Sequence, residues 1–194
     1  LNSGASMGEN YGPKIVGRKA WTLDEVAGKT VAVPGERTSA CLALKLAVPD
    51  VETRVLPFDK IIEAVAAGEA DAGVIIHEGQ LFYRDFDLRE ILDLGQWWNK
   101  LTGLPLPLGG NVIRRDLGPE KIRVIGDLIR DSIQFSLDHR EEALSYALQY
   151  GRGLDPSQGD RFVQMYVNDR TLDYGDEGRQ AVQLFLDRGF EAGL

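Results

Sequence analysis

The sequence predicts an α/β fold in two lobes, one inserted into the other. Three observations carry that reading. Short β-branched runs alternate with helical patterns from Lys14 to Leu104, as in a parallel sheet with crossover helices. The stretch LPLPLGG, 104–110, then breaks the pattern with two prolines and two glycines, which suits an extended crossing segment. From Pro119 on, the chain is nearly all helix. The shift near residue 108 gives a connection over 1–13, an inserted α/β lobe over 14–107 and a helical C-terminal part of the first lobe over 108–194. Ligands of such folds sit in the cleft, at the carboxyl ends of strands and the N-termini of helices.

Each element has its own local cause. KIVGRK, 14–19, is a short, partly apolar strand. Thr22 with Glu25 three residues on is a capping box that opens one or two helical turns. Thr30–Val33 reads as a strand, Pro34–Ser39 as a turn and Ala40–Ala47 as a helix. Glu52–Leu56 is again a strand. Phe58–Ala67 is a helix with Ile61, Ile62, Val65 and Ala66 on one side, and Gly68 ends it. Asp71–Ile76 is apolar enough to be buried on both faces of a sheet. Pro119 suits the first position of a helix whose stripe is Ile122, Ile125, Leu128, Ile129 and Ile133. Asp138 with Glu141 predicts a capping box for the next helix. Asp155–Pro156 opens another, and the last runs from about Gly175 to Arg188.

Composition excludes several classes. The chain has 194 residues, 43% hydrophobic and 27% charged, with net charge -8. That balance lacks the basic face of a phosphate-tracking nucleic-acid binder, and it disfavours an anionic membrane surface. No apolar run reaches the roughly 18 residues of a membrane-spanning helix. One cysteine forms no internal disulfide and fits a reducing compartment. The opening, LNSGASMGENYGP, is polar and Gly-rich, as expected of a segment entering from a preceding part of a longer protein.

Two stretches could carry chemistry. In VPGERTSAC, 33–41, a glycine turn leads to a helix that starts with Thr38 and Ser39. Unpaired backbone N–H groups and two hydroxyls there suit a carboxylate or phosphate, and they equally suit a plain N-cap. No GxxxxGK[ST] or GxGxxG loop supports a nucleotide. In DAGVIIHEGQ, 71–80, His77 ends the apolar run. An imidazole titrates near neutral pH and suits a general base; a hydrogen-bonded structural histidine is the competing reading. His139 reads as surface. No metal is expected, because position 81 is Leu and HExxH fails, and the acidic DRTLDYGDE lacks the calcium-loop pattern. Cys41 in the first helical turn is a conceivable nucleophile beside His77, or a small buried apolar residue. Of Trp97 and Trp98, one faces the core and the other the cleft or solvent.

Together VAVPGERTSA, AAGEADAGVIIHE, LDLGQWWNKLTGLPLPLGG, RRDLG, DHREEAL and MYVNDRTLDYGDEG resemble 1,4-dihydroxy-6-naphthoate synthase of the futalosine route to menaquinone. The resemblance covers nearly the whole chain, and the WW…TGLPLPLG block separates it from the related chorismate dehydratase. It implies an α/β fold of the periplasmic-binding-protein-like type II class, two lobes around a cleft. It implies a cytoplasmic lyase, without cofactor, that converts cyclic dehypoxanthine futalosine to 1,4-dihydroxy-6-naphthoate. His77 would be the base. Thr38 and Ser39, with Gly35 of the same turn and Leu108 and Gly109 of the LPLPLGG stretch, would hold a small-molecule carboxylate substrate. Neither nucleic acid nor membrane is an expected partner, and the oligomeric state is not implied. One departure matters. The family opens with a stretch like SPCPNDTF, absent here, so the first lobe is expected to be incomplete. The helices after residue 119 would then present uncovered apolar faces, and the chain alone is expected to be inactive. The alternatives are a non-catalytic solute-binding protein of the same fold, or chorismate dehydratase activity.

Overall fold

Strands form in this chain where β-branched and small apolar residues run together, and those runs are short. The computed structural model describes residues 1–150 and 155–194. Its strands are β1 Ser6–Gly8, β2 Lys14–Gly17, β3 Thr30–Val33, β4 Glu52–Val55, β5 Ala72–Ile75, β6 Arg89–Asp93 and β7 Leu106–Gly109. Its helices are α1 Leu23–Ala27, α2 Ser39–Ala47, α3 Ile61–Ala67, α4 Leu94–Thr102, α5 Pro119–Asp138, α6 Arg140–Leu148, α7 Pro156–Tyr166, α8 Asp169–Leu172 and α9 Gly175–Glu191. Two units divide these elements. One comprises Glu9–Leu106 and Ala181–Leu194; the other comprises Leu1–Gly8 and Pro107–Gln180. The architecture is mixed α/β.

The first unit is built on a five-stranded sheet of order β4-β3-β5-β2-β6. β3 pairs in parallel with both β4 and β5. The expected all-parallel sheet needs correction at β2, which runs antiparallel to β5 and to β6. Strand direction is a property of tertiary pairing, because a strand's backbone groups serve either pattern; an apolar run such as KIVG cannot declare it. β6 is absent from the expected elements: its residues REILD mix charge with apolar side chains.

Local signals hold where a side chain closes on its own backbone. Thr22 and Glu25 form the expected reciprocal capping box. Gly68 ends α3 in the left-handed region at φ 84°, which only glycine adopts without strain. The expected helix over 58–67 splits into a 3₁₀ turn, Phe58–Lys60, followed by α3. α3 packs Ile61, Ile62 and Val65 into a core with Val16, Ala32, Ile75, Tyr83 and Leu88. It lies so close to β5 that a Cβ on Gly73 would stand 2.4 Å from Ile61 Cγ2. Trp98 on α4 is fully buried, its ring edge to Phe185 of α9 at 5.2 Å between centroids. Its indole N–H donates to the Pro105 carbonyl at 3.1 Å, which satisfies the polar end of a large apolar group.

The second unit is helical apart from β1, which pairs with β7 in a two-stranded sheet. Asp155 caps α7 in a box with Gln158. The capping box expected at Asp138 is not formed. Asp138 is the last residue of α5 and accepts from the Gln134 amide, while α6 begins after His139 without a side-chain cap. His139 instead stacks on Phe135, 4.0 Å between ring centroids. No residue of α5 or α6 is buried. Ile125, Leu128, Ile129 and Ile133 of the α5 stripe, with Leu144 and Val163, line an open groove of about 660 Å³.

Candidate active site at the carboxyl edge of the sheet

Four of the five strands of the sheet end at the same edge. β3, β4 and β5 are parallel, and β6, antiparallel to β2, runs with them. The chain leaves this edge through Pro34–Ser39, Leu56–Phe58, Ile76–Glu78 and Asp93. The starts of α2, α3 and α4 follow at once, so helix N-termini gather where the strands stop. Lys14, the first residue of β2, lies opposite Ile75 and Asp93 at the same edge. Partial positive charge from the helix starts favours an anion at this edge, while the Lys14 ammonium is matched by Glu90 and Asp93.

His77 stands just past β5 and is the N-cap of a 3₁₀ turn, Glu78–Leu81. Its Nδ1 accepts from the Gly79 backbone N–H at 3.0 Å. Glu78 Oε2 lies 3.7 Å from the same nitrogen. The ring stands edge-on to Phe58, which leaves the end of β4. Gly79 is a steric requirement here: a Cβ would meet Ile62 Cδ1 at 2.3 Å and His77 Cε1 at 2.6 Å. The imidazole is therefore held at the edge by its own turn.

The Pro-Gly turn is also closed on itself. Thr38 Oγ1 donates to the Gly35 carbonyl at 2.8 Å and accepts from the Cys41 N–H at 3.1 Å. A hydroxyl has one proton and two lone pairs, so the Thr38 proton is committed within the turn. Ser39, the first residue of α2, is half-buried. Cys41 is fully buried, and burial pushes its thiol above the ordinary range. That is the opposite of the lowered thiol of a nucleophile, and it fits the small-apolar reading of Cys41. Trp98 is the core tryptophan of its pair, and Trp97 is half-buried.

A buried ion cluster was missed in the sequence. Lys14 Nζ lies 2.5 Å from Glu90 Oε2 and 3.1 Å from Asp93 Oδ2. The Tyr83 hydroxyl donates to the same Glu90 oxygen. Asp93 Oδ1 accepts from the N–H groups of Gly95 and Gln96 and so caps α4. Burial lowers the Lys14 ammonium, but the hydrogen bond to Glu90 and the nearby Asp93 outweigh it and hold it above the ordinary range. Burial raises the Asp93 carboxyl, partly offset by the Gln96 N–H and Lys14. An aspartate just before LGQWW was a legible capping signal; its pairing with Lys14, far away in sequence, was not. Leu108 and Gly109 lie on β7, in the other unit, half-buried and exposed respectively. Among the described residues, no cluster of three or more His, Cys, Asp or Glu is placed to hold a metal, and no helix is long and apolar enough to cross a membrane.

Comparison with known proteins fixes the family. The family model described as menaquinone biosynthesis matches residues 1–191. A 1,4-dihydroxy-6-naphthoate synthase from Thermus thermophilus is 41% identical over 188 residues, which is 96% of this chain and 68% of that protein. The chain belongs to the 1,4-dihydroxy-6-naphthoate synthase family of menaquinone biosynthesis. A second naphthoate synthase, from Streptomyces coelicolor, is 34% identical over all of this chain and 70% of its own length. A crystal structure from Archaeoglobus fulgidus superposes with a TM-score of 0.94 at 44% identity, over 100% of this chain and 72% of that one. The sulfonate-binding protein of Methylobacillus flagellatus KT matches at a TM-score of 0.64 and 16% identity, over 97% of this chain and 59% of that one. At that identity it shows the fold alone, and the fold is the periplasmic-binding-protein-like one that the naphthoate synthase resemblance implied.

Proposed function

We propose that this chain carries the catalytic histidine of a lyase that converts cyclic dehypoxanthine futalosine to 1,4-dihydroxy-6-naphthoate in the cytoplasm. The observation that carries this reading is His77, held past the end of β5 by the Gly79 N–H and edge-on to Phe58. His77 takes a proton from the substrate as general base. Gly35 and Ser39, at the start of α2, bind the substrate carboxylate, and Thr38 fixes the turn that presents them. Leu108 and Gly109 are further substrate contacts. The uncovered apolar stripe of α5 supports a second part of the reading: the 194 residues alone do not sustain turnover.

The test is His77→Gln in the full-length chain, assayed by formation of the dihydroxynaphthoate. Loss of a general base costs about 10²- to 10⁴-fold, so the expected fall in kcat is a hundredfold or more. Unchanged turnover overturns the role of His77. Recovery of intact ligand from the wild-type protein overturns the enzyme reading in favour of a binding protein. Measurable turnover by the 194-residue chain overturns the second part.

A further inference from the structure

His77 Nδ1 has two neighbours with opposite demands. The Gly79 N–H, 3.0 Å away, donates and needs a lone pair on Nδ1. Glu78 Oε2, 3.7 Å away, is an acceptor and can take a proton that Nδ1 carries. A neutral imidazole has one N–H and one lone pair, so these two contacts select different tautomers. With Gly79 as the partner, the proton sits on Nε2. That ring presents a donor at Nε2 and cannot accept a proton there. With Glu78 as the partner, the proton sits on Nδ1, and Nε2 presents the lone pair of a base.

The geometry points to Glu78 as a positioning residue that switches His77 into its basic tautomer. This rests on the reading of His77 as the general base. The ring gives its Nε2 proton to water and takes one at Nδ1; the Glu78 carboxylate closes the last ångström to receive that Nδ1–H in a hydrogen bond, and the Gly79 contact is given up. Nε2 then accepts the substrate proton, the substrate keeps the bonding electron pair, and the ring becomes an imidazolium whose positive charge faces Glu78. When Nε2 returns its proton, the ring is left as the Nδ1–H tautomer held by Glu78, and the Gly79-bound form returns only when Nδ1 gives its proton to water and Nε2 takes one back. Both side chains are about five-sixths covered, 14% and 16% exposed, so water competes weakly for either contact. The Phe58 ring stands edge-on to the imidazole, 5.7 Å between centroids.

The test reads the tautomer directly. The imidazole ¹⁵N signals of His77 in the full-length chain are assigned as those lost in His77→Gln. Above the titration of His77, the wild-type ring is expected to show both tautomers, with a measurable Nδ1–H population. Glu78→Gln is expected to lose most of that population and about tenfold or more in kcat, with KM changed little. Glu78→Asp, which keeps the charge on a shorter arm, is expected to recover part of both. Equal tautomer ratios in wild type and Glu78→Gln overturn the proposal, as does an unchanged kcat. If Glu78→Gln does not fold, Glu78→Asp and the wild type decide: a wild-type ring wholly in the Nε2–H form overturns it. Failure of the base reading is separate, because it appears as unchanged turnover in His77→Gln, whatever the tautomer ratio.

Discussion

Lys14 lies between two carboxylates at the edge where the strands end, and its neighbours differ. Asp93 is almost wholly covered and Glu90 is partly open. Removing the ammonium leaves Asp93 as a buried charge with only the cap N–H groups for company. Breaking such a pair from one side costs about 3 kcal/mol or more. Lys14→Met is therefore expected to lower the urea midpoint strongly, and Lys14→Met with Asp93→Asn to recover part of the loss. Equal destabilisation in both variants excludes an uncompensated Asp93 as the cause. His77 shows what was legible at this scale. Its place at the end of an apolar run could be read from DAGVIIHEGQ. Its tautomer could not, because that depends on how far the Gly79 N–H and the Glu78 carboxylate stand from one nitrogen.

The turn from β3 into α2 is an element whose two readings meet. The Thr38 hydroxyl serves as an N-cap, and its proton goes to the Gly35 carbonyl. Thr38→Ala is expected to cost about 1 kcal/mol of stability, the usual loss of such a cap, and Thr38→Ser to restore it. If Thr38 also held the substrate carboxylate directly, Thr38→Ala would raise KM at constant turnover; the turn geometry predicts the smaller effect. Elements with self-contained signals were readable in advance: the box at Thr22, the glycine after α3 and Asp155 before α7. The sequence pattern Asp138–Glu141 had the same form and failed. There α5 runs through Asp138 to end beside Phe135 and His139, which stack, and the helix takes the residue that was to cap its successor. β6 was missed for a related reason. Its burial depends on β2 alone among its pairing partners, so its own residues need not be uniformly apolar.

At the scale of the whole molecule, the two units keep their apolar surface differently. The sheet unit closes its core, with Val16, Ile61, Val65 and Ile75 fully or almost fully covered. In the helical unit the stripe of α5 stays open along the groove, and Leu128 is 62% exposed. An open apolar groove of this kind binds apolar dyes and partners. The 194-residue chain is expected to enhance the fluorescence of 8-anilinonaphthalene-1-sulfonate, and Leu128→Glu with Ile133→Glu to abolish most of that signal. Persistence of the full signal in the double variant places the dye elsewhere. The stripe was legible from its spacing, as was the alternation that gives the sheet. The sheet's order and the reversal of β2 were not, because they are decided by pairings between residues as distant as Lys14 and Asp93.

The chain's single thiol offers a clock. Cys41 sits in the first turn of α2 with no exposed surface, so a water-borne disulfide reagent reaches it only when α2 lifts from its place. Its rate of modification under native conditions therefore measures how often the sheet unit opens, without any engineered label. Substitutions at the edge where the strands end can be sorted by that rate: those that leave α2 in place leave the clock unchanged, and those that loosen α2 make it run faster.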